Sequence, residues 1–379
     1  MKKVALVISS AEIQNWSGGL SYYINLINLI KNLKKTELLI YTDSQSFIKK
    51  LKIKKFFEIK ELNCLKKGNI FFLLRKFIIF FFKKDFLLYL IFLSDKINIL
   101  SHRRLFKNKN IKVIGWIPDL QQKVLNKFFK ESTLKEREKY VLSEIKNSDC
   151  IFVSSQQVKK EFKKYYNLKD TIIPLRVSSS FIKQTKEKRL NKKINKFILF
   201  PSQFWKHKNH KFLVSAAREI KKRKLDIKII FCGKFFDNRN PAYYEELNSE
   251  IKKDELENII LNLGEVSRNQ LDNLQANCLA LVNPSFYEGW STINEESRIR
   301  NKHIFLSTIP GHIEQNNSGA IYFNHLDVLD FFKKLKFFIK NKNYNKSKYL
   351  IKKNNLFVSK LNKEAINVLN KVYEPCIKS

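Results

Sequence analysis

The sequence predicts an α/β protein made of two doubly wound, mostly parallel sheets in tandem. Three observations carry this expectation. Short aliphatic or β-branched runs alternate with longer segments of helical periodicity, the pattern of parallel strands covered on both faces. The alternation occurs twice, on either side of the polar, lysine-rich stretch 175–196. The 379 residues are 44% hydrophobic and 13% aromatic, enough for two cores and incompatible with general disorder.

The first set of strands is expected at 4–9, 37–41, 55–59, 97–101, 111–116, 149–153 and 170–174. Between them, 20–34, 132–147 and 155–167 place apolar residues on one helical face, the last opening with the capping serines Ser154 and Ser155. The second set is expected at 197–200, 227–232, 258–263, 278–282, 303–307 and 320–323, with helices near 208–223, 242–253, 267–276, 292–301 and 326–340. The domains then read 1–180, a linker at 181–196, a second domain at 197–355, and a periodic tail at 356–379 that packs back on the first domain. Two such domains facing each other leave a cleft at the carboxyl ends of their strands, which suits two substrates and names no chemistry.

Composition narrows the function classes. Lysine and arginine number 73 against 35 acids, a formal charge of +38. The excess is either drift of composition over solvated faces or an attraction to anionic lipid. Nucleic acid is not expected, because the lysines form no basic arm and no zinc-finger, RRM or helix-turn-helix pattern occurs. Five scattered cysteines form no C-x-x-C pair and suit a reducing cytoplasm. The apolar run after Met1 is too short for a signal peptide and reads as a first buried strand. Segment 70–93 is the most apolar, but Arg75, Lys76, Lys83, Lys84 and Asp85 interrupt it, so no membrane span is expected. It reads either as an ordinary buried helix or as a helix lying in a membrane interface.

The chemistry concentrates in 283–296, NPSFYEGWSTINEE, between a strand and a helix. Glu288 lies in the loop and Glu296 in the helix. Gly289 allows close backbone approach, and Ser291, Thr292 and free N–H groups at the helix start favour an anion. Such a carboxylate pair accepts hydrogen bonds from sugar hydroxyls. Turn residues followed by an acidic first helical turn explain the same spacing equally well. His207 and His210 lack a third ligand at metal-site spacing, and Trp205 and Trp290 are more often packing residues.

EGWSTINEE resembles the E-x7-E signature of the family 4 retaining glycosyltransferases, which have the GT-B architecture of two facing Rossmann-like domains. PSQFWKHKNHKFLVSAA (201–217) is similar to that family's donor-phosphate loop, LNLGEVSRNQLDNLQANCLALVNPS (261–285) to the stretch leading into the glutamates, and STIPGHIEQ (307–315) to the next strand and loop. WSGGLSYYINLI (16–27) resembles the glycine-rich loop after the first strand, and GWIPDLQQKVLNKFF (115–129) an acceptor-side motif. The resemblance implies that Glu288 binds the transferred sugar and Glu296 the nucleotide ribose. It implies that Lys208, Lys206 and Gln203 neutralise the departing diphosphate, where negative charge develops. Gly264, Glu265 and Val266 would meet the base, and Gly289, Trp290, Ser291 and Thr292 the donor. Gly18 and Gly19 would close over the β-phosphate, and Asp119 would lie near the acceptor.

The sequence departs from the family pattern at Pro118 and Gln122, where relatives carry histidine, at Gln203, where many carry arginine, and at Asn301, where glycine is usual. No D-x-D motif occurs, so no obligatory metal or cofactor is expected. The implied activity uses a UDP-, GDP- or dTDP-sugar and a glycan or lipid-linked acceptor in surface polysaccharide assembly. The enzyme would be cytoplasmic, peripheral on the inner membrane face. A nucleotide-sugar 2-epimerase of similar two-domain architecture and a non-enzymatic polyanion-binding protein are the alternatives.

Overall fold

The computed structural model describes residues 1–10, 17–50, 57–180, 196–237, 239–341 and 348–373; the expected linker thus lies almost wholly outside the described residues. The chain divides into two compact units. The first holds 1–120, 135–181 and 359–379, and the second 121–134 and 182–358. Residues 121–134, expected in the first domain, group with the second unit.

The first unit is a seven-stranded parallel sheet. Its strands are β1 (Lys2–Ile8), β2 (Thr36–Thr42), β3 (Glu58–Glu61), β4 (Ile99–Ser101), β5 (Lys112–Ile117), β6 (Cys150–Val153) and β7 (Ile172–Pro174), in the order β3-β2-β1-β4-β5-β6-β7. The pleat sends alternate residues to opposite faces. Val4, Leu6 and Ile8 join one core with Leu38 and Ile40, while Ala5 and Val7 join another with Leu39 and Tyr41. Both faces are therefore buried, which explains the unbroken apolar runs.

The last helix, Lys348–Tyr373, sends Ala365, Leu369, Val372 and Tyr373 into the first of these cores. Lys2 Nζ and Lys112 Nζ donate to the carbonyls of Tyr373 (2.9 Å) and Val372 (2.7 Å), near the end of the helix, where carbonyls lack intrahelical donors.

The second unit is a six-stranded parallel sheet of β8 (Phe197–Pro201), β9 (Lys228–Cys232), β10 (Ile260–Asn262), β11 (Ala280–Asn283), β12 (His303–Ser307) and β13 (Ala320–Phe323), ordered β10-β9-β8-β11-β12-β13. One phenylalanine-rich core runs through it, including Phe197, Phe200, Phe231, Phe305, Phe323 and Phe331. In each sheet the strand order reverses beside the first strand, between β1 and β4 and between β8 and β11. Ligands of open parallel sheets bind at the carboxyl ends of such switch points.

Local chemistry sets the helix ends. Ser155 Oγ accepts from Val158 N (3.2 Å) and starts the Gln156–Tyr166 helix, whereas Ser154 Oγ donates to Pro118 O (2.5 Å) and caps nothing. Ser267 and Gln270 form a reciprocal capping box on Arg268–Asn277. Asn301 follows the Thr292–Ile299 helix in the left-handed region (φ 53°), the conformation that glycine usually supplies. Segment 70–93 is two helices, Ile70–Phe82 and Phe86–Ser94. The break falls at Lys83 (φ 54°), and Asp85 starts the second helix by accepting from Leu88 N (3.3 Å).

Within Thr292–Ile299, Glu295 and Arg298 are completely buried and paired at 3.0 Å. Gln315 Nε2 donates to Glu295 Oε1 (3.1 Å), and the Phe357 ring lies 3.8 Å from Arg298 Cζ. Removing one partner strands a buried charge, which typically costs about 3–5 kcal/mol. Glu295→Ala is therefore expected to lower stability to urea by about that much, and the apolar pair Glu295→Leu/Arg298→Met to recover most of it; equal stability of Glu295→Ala and wild type would show the pair to be idle.

Candidate functional site

The carboxyl ends of β8 and β11 are followed by 202–209 and 284–291, and the two loops meet through Lys208 and Glu288. Lys208 Nζ lies 2.7 Å from Glu288 Oε1, with the side chains 15% and 9% exposed. Asn209, in the left-handed region (φ 61°), turns the chain from the Lys206–Lys208 turn into the His210–Lys222 helix and donates through Nδ2 to Pro284 O (3.1 Å). The Phe286 N–H donates to His207 O (2.9 Å). These bonds fix one loop on the other, and with it the ammonium on the carboxylate.

Glu288 Oε1 also accepts from Ser285 Oγ (2.7 Å) and Asn283 Nδ2 (3.1 Å). Burial alone would raise its pKa. The nearby charge of Lys208, assisted by His312 and His207, outweighs this and holds the carboxyl at about 2. His312 is fully buried on the Pro310–Gln315 helix, and burial holds its ring at about 4. Its Nδ1 lies 3.0 Å from Ser307 O and its Nε2 3.2 Å from Asn283 Nδ2. A carbonyl only accepts, so Nδ1 carries the proton of the neutral ring and Nε2 accepts from Asn283. Gly311 has no room for a side chain, since a Cβ would sit 2.2 Å from Glu288 O.

Glu296 is occupied differently. Arg268 Nη1 donates to its Oε1 (2.8 Å) and Gln275 Nε2 to its Oε2 (2.5 Å). Burial and then the charge of Glu296 push the thiol of Cys232, the last residue of β9, up to about 12. At the helix start, Ser291 Oγ accepts from Asn294 N (3.3 Å), and the Ser291 N–H, expected to be free for an anion, donates to Gln315 Oε1 (3.0 Å). Gly289 is buried, while Trp290 and Thr292 are half-buried.

The remaining expected residues of this unit follow β8 and β10. Lys206 is exposed, with Nζ 5.7 Å from the centre of the Phe128 ring, and Gln203 is half-buried. Gly264 adopts φ 64°, and its carbonyl oxygen accepts from Gly233 N (2.8 Å). Glu265 is exposed with Lys234 Nζ at 3.7 Å, and Val266 packs against the core. Every expected residue of the second unit thus lies at the carboxyl end of the sheet or on Thr292–Ile299 beside it. Asn283, Ser285, Arg268, Gln275, Gly311 and His312 were not singled out from the sequence. Asn283, a polar residue ending an apolar strand at the switch point, was the available signal.

In the first unit, Gly18 and Gly19 lie in the first turn of the Ser17–Ile30 helix, and Asp119, after β5, accepts from Arg137 Nη2 (3.1 Å). The β1/β4 switch point carries a neutral network that the sequence did not disclose. Tyr373 Oη donates to Ser101 Oγ (3.0 Å), which lies 2.8 Å from His102 Nδ1, and His102 Nε2 lies 2.8 Å from Tyr22 Oη. Burial holds His102 at about 3, so it stays uncharged, and Trp116 stacks on Tyr22 at 4.5 Å. Among the described residues, no three His, Cys, Asp or Glu side chains are grouped to hold a metal ion, and no helix is long and apolar enough to cross a membrane.

Residues 181–357 match the family model of the glycosyl transferases group 1. Similar solved structures include a glycosyltransferase from Rickettsia africae (14% identity, 99% of both chains, TM-score 0.63). Anabaena HepE in complex with UDP and glucose aligns over 98% of this chain and 100% of its own at 13% identity, TM-score 0.69. Sucrose-phosphate synthase from Thermosynechococcus elongatus aligns over 98% of both at 12% identity, TM-score 0.66. The fold is GT-B. No curated protein sequence matches the chain. Within this GT-B fold, the match to group 1 glycosyl transferases spans all six strands of the second unit and every residue around the Lys208–Glu288 pair.

Two outcomes follow from the site's electrostatics. The folded-state pKa values of His312 and Glu288 both lie below their ordinary values of 6.5 and 4.5. In both cases the unfolded chain takes up the proton first, so stability is lost as pH falls, from 6.5 towards 4 for His312 and from 4.5 towards 2 for Glu288. Each contributes on the order of 3 kcal/mol over its window. His312→Gln is expected to make the fall in thermal midpoint below pH 6.5 shallower, though not flat, because His102 and His210, held at about 3 by burial, act in the same direction. An unchanged slope would assign the effect elsewhere.

Proposed function

We propose that the protein is a retaining glycosyltransferase that moves a sugar from a nucleotide-sugar donor to a glycan acceptor. The observation that carries the reading is the buried Lys208–Glu288 pair at the switch point of the sheet that matches the group 1 family. An ionised carboxylate accepts hydrogen bonds from sugar hydroxyls. The ammonium beside it has three donors, of which Glu288 uses one. The others serve the diphosphate as it gains charge in the transition state. The acceptor oxygen bonds to the anomeric carbon on the face from which the diphosphate leaves. The carbon–oxygen bond to the diphosphate breaks, and an oxygen of the diphosphate takes the acceptor's proton.

The other roles follow the family 4 resemblance. Lys206 and Gln203 assist at the phosphates, Gly264, Glu265 and Val266 at the base, and Gly289, Trp290, Ser291 and Thr292 along the donor. Glu296 takes the ribose; Arg268 and Gln275 occupy one site on each carboxylate oxygen, and each oxygen keeps a second. In the first unit the reading assigns Gly18 and Gly19 to the β-phosphate and Asp119 to the acceptor. A lipid-linked acceptor and surface-polysaccharide assembly at the inner face of the cytoplasmic membrane complete the proposal. No observation favours a 2-epimerase or a non-enzymatic polyanion-binding protein.

The test has two parts. A thermal-shift panel of UDP-, GDP- and dTDP-sugars should raise the melting temperature with one nucleotide class, because a ligand that binds only the folded state stabilises it. UDP-sugars come first, since HepE is known with UDP and with UDP-glucose. Lys208→Ala and Glu288→Gln should each lower donor hydrolysis or transfer by about a hundredfold or more. Near wild-type rates in both would defeat the assignment.

A further inference from the structure

The Ile70–Phe82 helix is built inside out. Ile70, Leu73, Leu74, Phe77, Phe80 and Phe81 recur at spacings of three and four, so they share one face. That face is exposed: Phe77 is 60% and Phe80 67% accessible. Of the two cations in the helix, the buried one points the other way. Arg75 is only 8% exposed, donates through Nε (2.8 Å) and Nη2 (2.6 Å) to Asp85 Oδ2, and reaches Cys64 O through Nη1 (3.4 Å). An amphipathic helix resting on a soluble core has the opposite orientation.

The inversion is specified by the fold. The Arg75–Asp85 pair ties the helix to the next one, Phe86–Ser94, whose Leu88 and Phe92 are buried in the first unit. Turning the apolar stripe inward would break that pair and expose the guanidinium's partners. The stripe is therefore presented outward by a structural anchor.

Charge decides what covers it. From 70 to 93 the only acid is Asp85, and Arg75 engages it. The cations Lys76, Lys83 and Lys84 rim the face, with Lys83 Nζ 4.8 Å from the Phe80 ring centre and Lys84 Nζ 5.5 Å from that of Phe106. A second copy would bring the same lysines, on a chain of formal charge +38, against each other. An apolar stripe rimmed by cations matches acyl chains below anionic headgroups. The helix is about 20 Å long, too short to span and long enough to lie in the interface.

We infer that the outward apolar face of Ile70–Phe82, rimmed by Lys76, Lys83 and Lys84, docks the protein on an anionic lipid bilayer, with the helix parallel to the surface. Phe77, Phe80 and Phe81 enter the acyl boundary and the lysines meet lipid phosphates. This docking stands whether or not the second unit transfers sugars.

Flotation of the full chain tests it, with vesicles of phosphatidylcholine alone and of phosphatidylcholine mixed with phosphatidylglycerol. Wild type is expected to float with the mixed vesicles and to partition at least about tenfold less onto the neutral ones. The variants Phe77→Asp/Phe81→Asp and Lys83→Glu/Lys84→Glu are each expected to lose at least about tenfold on mixed vesicles, with melting temperatures within a few degrees of wild type, since all four side chains are exposed. Nucleotide-sugar binding, followed by thermal shift in the same variants, is expected to be unchanged, which separates a failure of docking from a failure of the glycosyltransferase reading. No flotation of wild type, equal flotation on both vesicles, or a dimer in solution abolished by Phe77→Asp/Phe81→Asp without any vesicle binding would each overturn the inference.

Discussion

The buried ion pair between Lys208 and Glu288 constrains the whole carboxyl end of the second sheet. Removing two charges from water is costly, and their attraction offsets it only when the remaining hydrogen-bonding capacity is met. Here Ser285 and Asn283 donate to the same carboxylate oxygen, and Asn283 is placed in turn beside His312. Lys208 follows β8, Asn283, Ser285 and Glu288 end or follow β11, and His312 follows β12, so the pair is stable only if these three strands lie in register. The parallel pairing of Ala280 with Ile198 and of Asn283 with Leu306 supplies that register.

Backbone geometry meets the same constraint. Gly311 lets its helix approach so closely that the Glu288 carbonyl occupies the space of a side chain. Gln315, four residues on, donates to Ser291 O and accepts from Ser291 N, both at 3.0 Å, which closes the glutamate loop from above. The loop is thus held by the segment after β8 from one side and by the Pro310–Gln315 helix from the other. A carboxylate so confined loses little conformational freedom when a ligand binds, which is the preorganisation that a site built for charge development requires.

The parallel sheets were legible in the sequence because strands buried on both faces must be apolar throughout: VALVI, FILF and ALV announce β1, β8 and β11 without ambiguity. The pairing of Lys208 with Glu288 was not legible, because 80 residues separate them and only the strand order joins their loops. The family resemblance pointed to both residues but said nothing of Asn283, Ser285 or His312, whose importance lies in whom they touch. Segment 70–93 shows a different limit. Its composition is equally that of a core helix and of an exposed one, and the deciding feature is the direction of Arg75, set by a partner ten residues away. The Glu296 carboxylate, expected to meet the nucleotide ribose, accepts from Arg268 and Gln275 on the preceding helix, partners that the sequence did not announce.

The two units repeat one fold with opposite chemistry at their switch points. In the second, charge is concentrated: an ammonium and a carboxylate at 2.7 Å, with neutral His312 alongside. In the first, charge is excluded. The Tyr373–Ser101–His102–Tyr22 chain has a consistent direction. Tyr373 donates to Ser101, so the Ser101 hydrogen is left for His102 Nδ1, and the Nε2 proton of the neutral ring faces the Tyr22 oxygen. Trp116 on Tyr22 removes this chain from water. Tyr373 comes from the last helix, so that helix completes the interior of the first sheet, just as Lys2 and Lys112 bind the carbonyls of Tyr373 and Val372. Neutral hydrogen bonding at one switch point and a buried ion pair at the other reflect the same rule: a buried polar group is best accommodated where the fold holds its partner in place.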